Sequence, residues 1–329
     1  MKIGLDTAPA SHAECYSRHL ASILRDHVPE HEYLDGDRLR GDCDLYHGFG
    51  PGVPLGIYLR GIPTVVTLPD LRFLHDLQVA SPLGRRIRLA YYRRVLRGVG
   101  RFVTVGGGAR DAVIDVLGVA PERVETVAAL GASVPLPPPL GETLERVRRK
   151  YGLPRRFVLA TGGAESRCNY RAVFDALLRA DVPEGVVVCG RRTPETERLL
   201  EYLRERHLAA RVDFIYEAGA DDLAALFRLA RAFVCLHDAE SAPSVAPLVE
   251  ALRAGLPMLL NDIPALRDAA GDAALYVPAA DAEAVARSFV RLLGDEALRR
   301  DLRERARRQA EVYTERAVAR RLAAIYASL

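Results

Sequence analysis

A chain of 329 residues has length for two domains, each with a buried core. Its apolar fraction of 49% is that of a globular, soluble protein, and a net charge of +3 gives no reason to expect a nucleic-acid partner. Five scattered cysteines without a Cys-x-x-Cys pair argue against a disulfide framework or a zinc site and for a reducing, cytoplasmic setting.

In chain order, short apolar runs alternate with longer amphipathic ones. Residues 1–6 read as a strand and 14–26 as a helix; the opening MKIGLDTAPASH lacks the pattern of a secretory leader. Strands are expected at 45–48 and 62–68, a helix at 85–97, a strand at 102–105, a helix at 109–117 and a last strand at 124–128. The segment GASVPLPPPLG, 131–141, is too rich in proline for a helix or a central strand and reads as an interdomain linker. The alternation then restarts. Strands are expected at 157–160, 185–189, 212–215, 233–236, 257–260 and 274–277, and helices at 170–179, 195–207, 221–230 and 245–254. From Asp281 the chain reads as helix, broken near Gly294 and Tyr313. No apolar run reaches the roughly 18 residues of a membrane span. Strand–helix alternation of this kind predicts an α/β protein of two doubly wound Rossmann-like domains, 1–135 and 136–313, facing each other across a cleft, with the last helix, 314–329, packing back on the first domain. Ligands of open parallel sheets bind beyond the carboxyl ends of the strands, so the cleft is the default site.

Four places could carry chemistry. The first runs from Glu240 to Glu250, two carboxylates flanking a small-residue loop that opens a helix. Ser244 is a candidate N-cap, and with Val245 it marks a helix start whose bare amides and partial positive charge suit a diphosphate. Carboxylates accept hydrogen bonds from sugar hydroxyls; taken alone, the pair also reads as two solvated glutamates. The second is TGGAESRCNYR, 161–171, directly after a strand: Gly162 and Gly163 allow a tight turn, while Arg167 and Arg171 offer guanidinium forks for phosphate oxygens. Cys168 between them reads as a small buried thiol. The third is TLPDL, 67–71, at the end of another strand, which carries Asp70. The fourth is Gly190-Arg191-Arg192 after the strand VVVC. His12, Glu14, His47 and Gly106–Gly108 also follow strands, and each reads as readily as a turn or packing residue. The segment 84–101 is rich in arginine, with Tyr91 and Tyr92; it reads as a solvated helix or as a face for anionic lipid headgroups.

The order of these segments resembles the family-4 glycosyltransferases of the GT-B fold, a retaining family. Pro247, Glu250, Ala251, Gly255, Pro257, Asp262, Pro264, Gly271, Asp272 and Ala273 match its donor-binding pattern, as do Arg167 and Asn169 in the second segment. MKIGLD, IPTVVT, LGVAPERVETV and GDAALYV match in order along the chain. The resemblance implies sugar transfer from a nucleotide-diphosphate donor to a glycan or lipid-linked acceptor, with retention. In that scheme Glu240 contacts the donor sugar, Glu250 the ribose, and Arg167 the departing diphosphate. Asp70 is kept from a Thr-x-His-Asp-Leu motif whose His lies beside the reacting sugar, and it is the candidate there for a catalytic role; Gly162, Gly163, Ser244, Val245, Arg171 and Gly190 line the nucleotide. It implies no metal and no cofactor beyond the donor, and it allows peripheral contact with the inner face of a membrane through 84–101. The chain departs from the pattern at Cys168, where the family has Lys, at Pro69, where it has His, in a longer loop after Glu240, and in lacking a Gly-rich first loop. These departures admit a second expectation, a non-catalytic binding protein of the same shape.

Overall fold

A computed structural model of the protein describes residues 1–6, 13–35, 43–50, 52–68, 82–105, 107–127, 140–164, 166–237 and 245–329. The chain forms two compact units. One comprises Met1–Ala132 with Val312–Leu329, the other Ser133–Glu311.

The first unit is built on a six-stranded parallel sheet: β1 (Lys2–Leu5), β2 (Glu32–Asp35), β3 (Leu45–Phe49), β4 (Thr64–Leu68), β5 (Arg101–Val105) and β6 (Val124–Val127), in the order β2-β1-β3-β4-β5-β6. Its helices are α1 (Ala13–His27), α2 (Leu55–Leu59), α3 (Pro82–Leu96) and α4 (Gly107–Leu117). The central strands are buried along their length, as strands covered on both faces require. Two short elements escape the apolar pattern. β2 is an edge strand with no fully buried residue, and its sequence EYLD carries no apolar run. α2 has only five residues and buries Ile57 alone.

His47 ends the apolar run of β3 and is wholly buried. Its Nδ1 lies 2.6 Å from the Tyr326 hydroxyl and its Nε2 2.7 Å from the Thr67 hydroxyl. Burial drives its ionisation down to about 3, so it is a neutral packing group. Tyr326 belongs to the last helix, α13 (Glu315–Ala327), which lays Val318, Ala319, Leu322, Ile325 and Tyr326 into the same core as Ile3, Leu5, Leu20 and Leu24.

The second unit repeats the plan with β7 (Phe157–Thr161), β8 (Gly185–Cys189), β9 (Val212–Ile215), β10 (Ala232–Cys235), β11 (Met258–Asn261) and β12 (Ala274–Val277). All neighbours are parallel, in the order β12-β11-β10-β7-β8-β9. The helices are α5 (Gly141–Lys150), α6 (Tyr170–Arg179), α7 (Pro194–Glu205), α8 (Ala220–Leu229), α9 (Ala246–Arg253), α10 (Pro264–Ala270), α11 (Ala282–Gly294) and α12 (Glu296–Ala310). α5 and α10 are absent from the sequence reading. α5 is mostly charged and buries only Val147, and α10 is only seven residues long and opens at Pro264. Among the described residues no helix is long and apolar enough to cross a membrane.

The strand order places a topological switch point between β7 and β10. Chains leaving these two strands turn to opposite sides, which opens a crevice at their carboxyl ends. The segments after Thr161 and Cys235 meet there.

Candidate functional site

Beside the switch point the ends of β7 and β8 are glycines, because two backbones nearly touch there. Gly162 follows β7 with φ of +127°, a region that other residues rarely adopt. Its amide donates to the Cys189 carbonyl, 3.0 Å away, and so ties the end of β7 to the end of β8. Gly190, next along β8, lies so close that a Cβ would sit 1.8 Å from the Gly162 carbonyl oxygen. Gly190 is therefore required by backbone packing, whatever else it touches.

The segment beyond Gly163 folds back as a single 3-10 turn, Ser166–Cys168, and Asn169 takes a left-handed conformation before α6 begins. Tyr170 donates from its hydroxyl to the Gly162 carbonyl at 3.1 Å. Thr193, which caps α7, donates to the Ala164 carbonyl at 2.8 Å. Cys168 is buried, and its thiol donates to the Gly163 carbonyl at 3.1 Å. The same sulfur lies 3.4 Å from Nε2 of His237, two residues past β10. Asn261 at the end of β11 fixes that residue in turn. Its Nδ2 donates to the His237 carbonyl at 2.6 Å, and its Oδ1 accepts from the Ala279 amide at 2.9 Å. Cys189 and Cys235 end β8 and β10; burial raises both thiols to about 11, so they stay protonated.

Glu250 sits one turn inside α9, with most of its side chain buried. Arg253 donates to Oε1 at 2.7 Å, which offsets the cost of burying the charge. α9 packs against α12, so the carboxylate rides on a fixed element.

With this geometry in view, comparison with known proteins is decisive. The family "Glycosyl transferases group 1" matches residues 155–309, which hold the crevice, and the family "Glycosyl transferase 4-like domain" matches residues 16–129. Residues 155–309 thus carry a group 1 glycosyltransferase domain, and residues 16–129 a glycosyl transferase 4-like domain. A curated relative is the serotype-specific mannosyltransferase WbdA of Escherichia coli, 30% identical over 221 residues. That alignment takes in 64% of this chain and 26% of the relative, so the chain spans about a quarter of WbdA. Among solved structures, HepE of Anabaena in complex with UDP is 13% identical with a TM-score of 0.71 over the whole of both chains. A glycosyltransferase from Rickettsia africae is 11% identical with a TM-score of 0.71, over 99% of this chain and 97% of that one. These likenesses establish the GT-B fold.

Within the matched domain, the structure gathers Gly162, Gly163, Gly190 and the 166–168 turn at one end of the second sheet. It treats the remaining expected site residues differently. Arg167 is exposed on its turn. Arg171 has its guanidinium 5.1 Å from the Tyr202 ring centre and 3.9 Å from Glu195, so it is engaged with α7. Arg192 is exposed and ion-paired with Glu197. Val245 itself occupies the N-cap position of α9 that the sequence reading gave to Ser244. Glu240, Ser244, Asp70, Pro69, His12 and Gly106 lie outside the described residues. Sequence reasoning passed over His237 and Asn261. The signal for His237 is a polar side chain directly after the apolar run FVCL, and that for Asn261 is a polar side chain directly after the run MLL.

Proposed function

We propose that this chain transfers a sugar from a nucleotide-diphosphate donor to a glycan or lipid-linked acceptor, with retention at the anomeric carbon, in the synthesis of a cell-surface polysaccharide. The observation that carries the reading is the switch-point crevice of the second unit, where the Gly162–Gly163 turn exposes backbone beside an arginine-bearing turn. A diphosphate needs such a place: small residues let it approach, and amides and guanidinium groups neutralise it. Glu250, semi-buried and held by Arg253, is suited to accept hydrogen bonds from the two ribose hydroxyls. WbdA, as a serotype-specific mannosyltransferase, and HepE, which binds UDP, fit the same reading. The reaction asks little covalent chemistry of the protein. Catalysis would consist of positioning the acceptor and stabilising charge on the departing diphosphate. Glu240 would hold the donor sugar, Asp70 would lie beside it, and the leaving phosphate would take the acceptor proton. The reading calls for no metal and no further cofactor, and for a cytoplasmic site of action.

A specific observation favours a second reading, a non-catalytic binding protein. Cys168 is turned inward onto Gly163, and Arg171 is engaged with Tyr202 and Glu195, so neither supplies the second cation that the family resemblance places here.

Calorimetry with UDP- and GDP-sugars tests the donor site, and product analysis with the anomeric configuration read by NMR tests transfer and retention. Glu250→Ala is expected to weaken nucleotide binding by about tenfold to a hundredfold, the loss of a charged hydrogen bond. Wild-type affinity in that variant removes the ribose assignment. Binding without turnover selects the second reading.

A further inference from the structure

Arginine is abundant throughout this chain, and in the second unit many arginines sit beside carboxylates. In α12, Arg303 pairs with Glu296, Arg305 with Asp301 and Asp272, and Arg307 with Glu304. The stretch 82–101 in the first unit is different. It holds seven arginines and no aspartate or glutamate. Arg86, Leu89, Ala90, Arg93 and Arg94 share one side of α3 and, with Arg97 just past its end, line a shallow concavity of about 450 Å³. The concavity continues past Arg97 towards Arg123, beside the end of α4.

This basic stripe is bracketed by large aliphatic side chains that the fold leaves outside. Leu83 and Ile87 at the start of α3 are 69% and 62% exposed, and Leu55 and Leu59 of α2 are 70% and 72% exposed. α2 lies beside the far end of the stripe: a Cβ on Gly98 would come within 2.8 Å of the Tyr58 ring. A helix the length of α3 spans about 22 Å, so aliphatic groups stand near both ends of a row of positive charge.

We propose that α2 and α3 form a docking face for a bilayer that carries anionic headgroups. Arginines without acidic neighbours on their own segment meet phosphate-bearing headgroups, while Leu55, Leu59, Leu83 and Ile87 enter the boundary between headgroups and acyl chains. A soluble polyanion would use the arginines and leave four exposed aliphatic side chains without purpose. A bilayer surface uses both. The inference stands apart from the donor site, which lies in the other unit.

The test is co-sedimentation of the full chain with vesicles of phosphatidylcholine alone and of phosphatidylcholine mixed with phosphatidylglycerol. The protein is expected to bind only the mixed vesicles, and added salt should weaken that binding. The triple variant Arg86→Glu, Arg94→Glu, Arg97→Glu should bind at least ~100-fold more weakly, since each basic side chain at such a surface is worth about fivefold. Leu55→Ser with Leu59→Ser should cost about tenfold. Circular dichroism and melting temperature confirm that each variant folds, and its nucleotide affinity should match that of the parent chain. Failure to bind the mixed vesicles, or binding that the triple variant leaves unchanged, overturns the proposal. Tight binding to heparin, with vesicle binding indifferent to the leucine changes, reassigns the face to a soluble polyanion and also overturns it.

Discussion

At the residue scale the crevice is set by where a side chain cannot be. Gly190 and Gly162 come from adjacent strands, and their backbones approach so closely that even a methyl group is excluded. The obstruction is backbone, not the flexible end of a side chain, so it cannot swing away. Gly190→Ala must push apart the ends of β7 and β8 and break the Gly162 to Cys189 hydrogen bond. A loss of about 3 kcal/mol or more is expected, at the upper end of single substitutions. Chemical denaturation measures it, and a shift below about 1 kcal/mol would mean that the turn relaxes freely. Gly190 has no such demand visible in the sequence, where a glycine at a strand end suggests ligand contact as readily as packing. The same limit explains Cys168. Its neighbours His237 and Gly163 are 69 and 5 residues away in the chain, and only the fold brings the three together.

At the element scale the sequence was most legible where apolar period and strand burial coincide. β4, β7, β8, β10 and β11 all lie where short, mainly apolar runs place them, because both faces of a buried parallel strand are covered. α5 was illegible for the opposite reason: it is held by charge. Asp222 at the start of α8 is nearly buried and accepts from Arg146 at 2.7 Å, Lys150 at 2.6 Å and Tyr151 at 2.8 Å, all from α5 and the residue after it. Burial alone would raise the Asp222 carboxyl, but hydrogen bonds from Lys150, Tyr151 and Arg146 outweigh it and hold the ionisation down at about 2. A carboxyl depressed in the folded state stabilises the fold fully above its ordinary range near 4. That contribution is lost as pH falls from there through 2. Its size is about 1–2 kcal/mol, given that Arg146 and Lys150 are half-exposed. Asp222→Asn should lower stability by about that amount at neutral pH and flatten the acid limb of the stability curve between pH 4 and 2. Equal acid sensitivity in the variant and the parent would place the titration elsewhere.

At the scale of the whole molecule, the chain ends in the unit where it began. α13 returns to the first unit after all of the second has been built, and it supplies both apolar filling and the Tyr326 hydroxyl that partners His47. The side chains it buries amount to about 8–12 kcal/mol of gross hydrophobic stabilisation, comparable with the total stability of a typical domain. Without it the His47 imidazole would also keep a buried nitrogen without its partner, at a further ~1–3 kcal/mol. The second unit has its own core and its own switch-point crevice, and neither uses a residue beyond 311. A chain ending at Tyr313 should therefore lose the first unit selectively. Hydrogen exchange should show β1, β3 and β4 unprotected while β7, β8 and β10 keep their protection, and calorimetry should still register nucleotide binding at the second unit. Protection retained in β1 and β3 would show that the first core closes without its last helix. Loss of protection in β7 along with β1 would show that the two units unfold as one.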